Sequence, residues 1–593
     1  MTAYTLSPWN LSDLLKDPNG AEVSTLLARM EENTRQIETV RPQLSESLDS
    51  QVFNQLLDCE AAIVHDANRL LGYGALWFSG NTQDPEALAF NGKYRQMLTD
   101  LQNRTLFFGL WWKEISESAA QRLMAGAPES VRYSLHHQRL FKPFTLAEKI
   151  EQVINIKDSN GSSALTTIYS MLTNAYKFTL EVDGERKELT REGLSPYIQG
   201  DSAELREAAY RELYRVYAED GAVLAQIYTH LVRDYYQENI KLRGHQHPLG
   251  VRNLANDLPD AVIDTLLEVI RQNTPVFRRW FELKARLLGV ETLRRYDLYA
   301  PLRKSDKTFE YDTAVQNVLQ AFDEFSPRIA KLAQRVFDEQ HVDSEVRAGK
   351  RGGAFCMSLF PEGTPYVLLN YTGKARSVAT LAHELGHAIH AMLASQHSIF
   401  TFHSALPLAE TASTFSEMLL TDMLLQNETD ATVRRDLIAS LLDDAYATIQ
   451  RQAFFVLFER QAHQMIRDGA SVGELNAAYL ANLREQFGES ILVNDEFQWE
   501  WVSIPHIYNS PFYCYAYAFG QLLVFALYQQ YKQLGKAQFE PKLVQILSAG
   551  GSASPLEILD AAGIDIRPAS FWQGAFDFLS QQLDLLVMGS QTA

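Results

Sequence analysis

Three long stretches repeat apolar residues at three- and four-residue intervals. They are "QVFNQLLDCEAAIVHDANRLLGYGALWF" (51–78), "DAVIDTLLEVIRQNTPVFRRWFELKARLLG" (260–289) and "RRDLIASLLDDAYATIQRQAFFVLFERQAHQMIRDG" (434–469). That period collects the apolar side chains on one face of an α-helix, and several such faces in one chain must be buried against each other. Helix packing therefore dominates whatever this chain folds into. The two-residue period of strands is confined to two places. "AYKFTLEVDGERKELT" (175–190) alternates on both sides of Asp183-Gly184, a pair suited to a two-residue hairpin turn. "AFCMSLFPEGTPYVLLNYTG" (354–373) has two short β-rich runs around a Pro-Glu-Gly-Thr-Pro break and predicts a second hairpin. The expected fold class is mainly α with a small β element.

At 593 residues the chain exceeds one simple core. A polar break in "SPYIQGDSAELREAAY" (195–210), with a helix start at Ser202, divides an N-terminal helical region (1–200, with the hairpin near 175–190) from a larger region (201–593). The formal net charge of −19 argues against a nucleic-acid backbone or an anionic membrane as partner. Cys59, Cys356 and Cys514 are far apart and form neither a disulfide framework nor a CxxC site, as expected of thiols in a reducing cytoplasm. The N-terminus lacks the pattern of a signal peptide, and no apolar run is long enough to span a membrane.

The most informative stretch is "VATLAHELGHAIHAML" (378–393), with His-Glu-x-x-His at 383–387. Helical residues four apart share a face, so His383 and His387 can present ring nitrogens to one cation, and two neutral imidazoles suit zinc. Glu384, one residue on, can reach a metal-activated water without being a ligand. Polar groups on so apolar a helix need a partner, and a metal supplies one. Gly386 lowers helix propensity by about 1 kcal/mol relative to Ala, so close packing is its expected role. A catalytic zinc needs a third protein ligand and an open position. In "LPLAETASTFSEMLLTDMLL" (406–425), Glu410 and Glu417 stand two turns apart on a predicted helix. Spacing alone does not separate them. The small neighbours Ala409, Thr411, Ala412 and Ser413 favour Glu410 as ligand, with Glu417 supporting a histidine from behind. His390 reads as a core or supporting histidine rather than a ligand. His403, in the preceding loop, has no assigned role.

"HELGHAIH" followed by "LAETASTFSE" resembles the M3 family of zinc peptidases, to which thimet oligopeptidase belongs, and the oligoendopeptidase F branch in particular. The likeness extends to "RRYDLYAP" (294–301), "LLNYTGKARSVATLAHELGHA" and "IPHIYNSPFYCYAYAFGQLL", over roughly residues 200–585. It implies a zinc metalloendopeptidase cutting internal bonds of short, unfolded peptides, with 201–593 as its catalytic region. It also implies a two-lobed helical ellipsoid with a deep substrate channel. Carried over residue by residue, it gives His383, His387 and Glu410 as ligands of one zinc ion per chain and Glu384 as general base.

Peptide hydrolysis passes through a tetrahedral oxyanion that needs hydrogen-bond donors. "PHIYNSPFYCYAYAFG" (505–520) offers His506 and several tyrosines. If Pro511 starts a helix, Tyr513 and Tyr517 share a face and Tyr515 points elsewhere. Aromatic residues at such spacing more often pack a core. The resemblance implies instead that His506 and tyrosines from this region bind substrate and oxyanion, here Tyr513 and Tyr517, with Tyr508 in reserve. The hairpin at 354–371 could add an extended peptide as a further strand, with Gly352 and Gly353 permitting close approach. Two other readings stay open on these residues: a zinc carboxypeptidase on a similar helical scaffold, and a non-catalytic peptide-binding protein, which would have no need of Glu384.

Overall fold

In the computed structural model, which describes residues 3–302 and 308–591, each periodic stretch is helical. Ser50–Gly80 forms one 31-residue helix, started by Asp49, whose carboxylate accepts from the amides of Gln51 and Val52. The second stretch divides into Asp260–Gln272 and Thr274–Leu288, with Pro275 in the opening turn of the second helix. The third forms Ala431–Ala445 and Arg451–Arg467, joined by a π-helical turn over Tyr446–Gln450. Ser202 starts the helix Ala203–Glu219 by accepting from the Leu205 amide.

Strands are short and few among the described residues. β1 (Phe178–Val182) and β2 (Glu185–Leu189) form the predicted hairpin, with Phe178 opposite Leu189. Asp183 and Gly184 both have positive φ, 57° and 78°, as the tight turn requires. A three-stranded sheet contains β3 (Val342–Asp343), β4 (Phe355–Met357) and β5 (Tyr366–Leu368). β5 is central, parallel to β3 and antiparallel to β4, with Cys356 opposite Val367. The β4–β5 hairpin is the predicted one. The two-residue β3 is too short to leave a periodic signal.

The chain divides into two compact units, each assembled from three separated segments. The first comprises Met1–Thr145, Asp306–Asn427 and Gln530–Asp565. One of its apolar clusters gathers Phe53, Phe108, Trp112 and Leu123 from the N-terminal helices. The unit also holds the β3–β5 sheet and the helices α1 (Ala375–Leu393), α2 (Leu406–Ala409) and α3 (Thr411–Asn427). α1 packs along α3 and against β4. The second unit comprises Leu146–Ser305, Glu428–Gln529 and Ile566–Ala593, so residue 200 lies within it. It includes the β1–β2 hairpin, α4 (Arg451–Arg467), α5 (Pro505–Asn509) and the start of α6 (Tyr515–Leu534). Trp501 is fully buried there against Tyr228 and Phe458.

One local expectation fails. Pro511 does not start a helix: residues 511–514 form a turn, and α6 begins at Tyr515. Phe512 takes φ 60°, which a helix start would not allow. Cys59, Cys356 and Cys514 are free thiols. No helix among the described residues is long and apolar enough to cross a membrane.

Candidate active site

The helical register of α1 puts His383 and His387 on one side, with ring centroids 4.9 Å apart. α3 can run close beside them because Gly386 has no side chain. A Cβ there would lie 2.6 Å from Ser413 Cα and 2.7 Å from the Ala412 carbonyl oxygen. Glu410 sits at the junction of α2 and α3, and its carboxylate turns toward the histidines. Glu410 Oε2 is 3.4 Å from Nε2 of His383 and 3.4 Å from Nε2 of His387. Two donors bonded at 2.0–2.1 Å to one tetrahedral ion stand roughly 3.3–3.4 Å apart. Both edges from Glu410 thus match that spacing, and the three side chains could hold a metal ion.

Their surroundings fix each donor's state. Glu417 Oε1 meets Nδ1 of His383 at 2.5 Å, which holds a proton on Nδ1 and turns Nε2 toward Glu410. Burial opposes a charge on His383, but Glu417, Glu410 and Glu384 together lift its pKa to about 9. Burial disfavours the charged form of Glu410 as well, yet His387, His383 and the Ser413 hydroxyl hold its pKa down at about 2. That hydroxyl donates to Glu410 Oε2 at 2.7 Å. The result is a concentration of negative potential around two imidazole nitrogens, a setting for a cation. Glu384 is buried, and burial raises its pKa against the opposing pull of His383 and His387.

His390 lies one turn further along α1 and is 7% exposed. Burial and nearby His387 depress its pKa to about 4, against a smaller opposing effect of the Ala409 backbone. It is a core histidine outside the cluster of three donors. His403 is exposed in the loop ahead of α2.

His506, Tyr513 and Tyr517 belong to the second unit and are brought together there. Tyr517 Oη is 3.5 Å from His506 Nε2, a long and weak contact. The Tyr513 ring lies parallel to His506 with centroids 6.1 Å apart, and 5.3 Å from Tyr517. All three are half-buried. Burial first, and then Arg451, lower the pKa of His506, so the ring is neutral near pH 7. Tyr508 is different. It is 2% exposed, stacks on Tyr169 at 3.9 Å and donates to the Leu224 carbonyl at 3.3 Å, which makes the reserve tyrosine a core residue. Tyr515 is also buried and accepts from Asn256 at 2.8 Å.

Two supporting residues escaped sequence reasoning. Ser413 is one turn after Glu410, and its hydroxyl was legible only as a small side chain. Glu459, on α4, is fully buried, and its Oε1 accepts the Phe512 amide at 2.9 Å. It thereby pins the left-handed residue between His506 and Tyr513, and no motif links the two segments.

The model of peptidase family M3 matches residues 197–578. The chain is 27% identical over 587 residues to an oligoendopeptidase F homolog of Borreliella burgdorferi, covering 95% of this chain and 97% of that one. It is 25% identical over 588 residues to the oligopeptidase PepF of Bacillus subtilis, covering 97% and 86%. The crystal structure of oligoendopeptidase-F from Enterococcus faecium superimposes with a TM-score of 0.73 at 21% identity, over 97% of this chain and 99% of that one, and so shares its fold. These matches define a helical metallopeptidase. The chain belongs to peptidase family M3, as a metalloendopeptidase of the oligoendopeptidase F type.

Proposed function

We propose that this chain hydrolyses internal bonds of short, unfolded oligopeptides, using one zinc ion held by His383, His387 and Glu410, with Glu384 as general base. The observation that carries the reading is the pair of 3.4 Å separations between Glu410 Oε2 and the two Nε2 atoms. Bound zinc supplies Lewis acidity, lowering the pKa of water and polarising the scissile carbonyl. Glu384 then receives the proton of the attacking water and returns it to the leaving nitrogen. Its burial favours this role, because a carboxylate made more basic by desolvation is a better proton acceptor near neutral pH. His506, Tyr513 and Tyr517 are assigned to the substrate and its oxyanion, as hydrogen-bond donors.

β4 is an edge strand beside α1, so its free backbone groups suit pairing with an extended substrate. Gly352 and Gly353, just before it, are exposed, and a Cβ at either would meet nothing within 4 Å. The three free thiols support a reducing compartment, the cytoplasm. The net charge supports peptides rather than nucleic acid as partners.

The test is cleavage of a quenched fluorescent peptide blocked at both ends. Wild type should cut it internally, and Glu384→Gln and chelator-treated protein should not. Dependence on a free C-terminus would favour a carboxypeptidase. Activity surviving both treatments would overturn the mechanism, and an inactive wild type that still binds the peptide would favour the binding-protein reading.

A further inference from the structure

A second set of metal-type donors lies in the first unit, and none of them belongs to the His-Glu-x-x-His constellation. The helix Pro327–Asp338 ends in a turn in which Gln340 takes φ 58°. The amides of Gln340 and His341 bond back to the carbonyls of Phe337 and Val336, at 3.0 Å each. The N-terminal segment docks on this turn, with the Asn10 amide donating to the Gln340 carbonyl at 2.9 Å. Ligand atoms of Asp13, Glu339 and His341 thereby come within 4.8 Å of one another.

His341 gives this cluster its meaning. Its side chain is 3% exposed, and its ring stacks on Tyr366 with centroids 3.9 Å apart. Nδ1 lies 3.0 Å from the Thr364 carbonyl oxygen. A carbonyl only accepts, so Nδ1 carries the proton and, in the neutral ring, Nε2 is a bare lone pair. Nε2 has no hydrogen-bond partner among the described residues, although Asp13 Oδ2 lies 3.4 Å away, off the direction an N–H there would take. A lone pair beside a carboxylate needs a cation between them, either a proton or a metal. The 3.4 Å separation exceeds an ordinary N–H···O bond of 2.7–3.2 Å and matches the donor-to-donor edge around a tetrahedral ion, roughly 3.3–3.4 Å. Glu339 Oε1 accepts from Arg335 at 2.7 Å, which fixes the carboxylate within reach of His341. Asp13 is 65% exposed on its side chain, which gives an entry path.

We propose that His341 Nε2 and one oxygen each of Asp13 and Glu339 bind a second divalent transition-metal ion, with solvent completing its coordination. The backbone-held Nδ1 proton is the usual support of a ligating histidine. One imidazole and two carboxylates suit zinc, cobalt or manganese better than calcium. The ion ties the N-terminal segment to the start of the β3–β5 sheet, whose β4 edge packs on α1.

Cobalt(II) is the probe. Full-length protein, stripped with chelator, is dialysed against excess cobalt and its bound metal counted. Wild type should hold two ions, Asp13→Asn/Glu339→Gln one, His383→Ala/His387→Ala one, and the quadruple variant none. Cobalt should also raise the melting temperature of His383→Ala/His387→Ala and leave that of the quadruple variant unmoved. The carboxylates are varied because they lie at the surface, whereas His341 is a core residue. One ion on wild type, or two on Asp13→Asn/Glu339→Gln, would overturn the assignment and leave an imidazolium paired with Asp13.

Discussion

Glu417 Oε1 lies 2.5 Å from Nδ1 of His383, while Nε2 of the same ring faces Glu410 at 3.4 Å. One carboxylate thus holds one ring nitrogen of His383 and a second faces the other. Partners of this kind typically change metal affinity 10–100-fold when removed. Glu417→Gln keeps an acceptor for the Nδ1 proton and should weaken zinc binding by about tenfold, whereas Glu417→Ala should approach about a hundredfold. Competition with a chromophoric chelator measures both. Equal affinity in all three proteins would remove Glu417 from the site.

Gly386→Ala tests whether closeness of α1 and α3 builds the site. Alanine gains about 1 kcal/mol in helix propensity. Its Cβ would meet Ser413 Cα at 2.6 Å, backbone that cannot yield as a side-chain tip can. Overpacking of this kind costs about 1–3 kcal/mol. The variant should melt at a lower temperature, and zinc affinity should fall with it, because Glu410 is displaced as α3 moves.

Much of this was legible in the sequence, for identifiable reasons. The period of apolar residues reports helices directly, so Ser50–Gly80 and α1 follow from pattern alone. The i, i+4 spacing reports that His383 and His387 share a face, and Asp183-Gly184 reports its own turn. What was not legible is long-range. The interleaving of three segments in each unit leaves no local mark, so a polar break near residue 200 was the only visible boundary. Burial of individual tyrosines was equally hidden. The spacing separates Tyr515 from Tyr513 and Tyr517, but that Tyr508 is buried against Tyr169 depends on a contact more than 300 residues away in sequence.

That division gives a third prediction. Tyr517→Phe removes a hydroxyl beside His506 and should lower kcat by about 10²–10³, the range for loss of one oxyanion donor, with little change in KM or melting temperature. Tyr508→Phe removes a buried hydrogen bond and should cost about 1 kcal/mol of stability with kcat unchanged. Steady-state kinetics and thermal melts on both variants separate the roles. A kcat loss in Tyr508→Phe alone would reverse the assignment.

The β4 edge is tested best at Gly352. Gly353 has φ 79°, so any side chain there strains the backbone regardless of substrate. Gly352→Val avoids that conformation and still places a branched side chain by the strand. KM should rise severalfold while kcat and stability hold. Unchanged KM would argue that substrate does not approach β4.

Glu459 predicts a pH dependence of stability. Complete burial lifts its pKa to about 8, against smaller opposing effects of the Phe512 amide and Arg252. The folded protein therefore keeps this carboxyl protonated over a range in which the unfolded chain, with an ordinary pKa near 4.3, has lost the proton. Below pH of about 4 both states are protonated and the group has no effect on the folding equilibrium. Between about pH 4.3 and 8 the unfolded state binds fewer protons, so stability falls with rising pH, by up to about 1.4 kcal/mol per unit. Above about 8 both states are ionised and the loss is complete. Glu459→Gln keeps an oxygen for the Phe512 amide and cannot ionise. It should match wild type near pH 4.5 and become progressively more stable than wild type up to pH 8 in denaturant melts. A constant difference across that range would mean that the buried carboxyl ionises normally in the folded state.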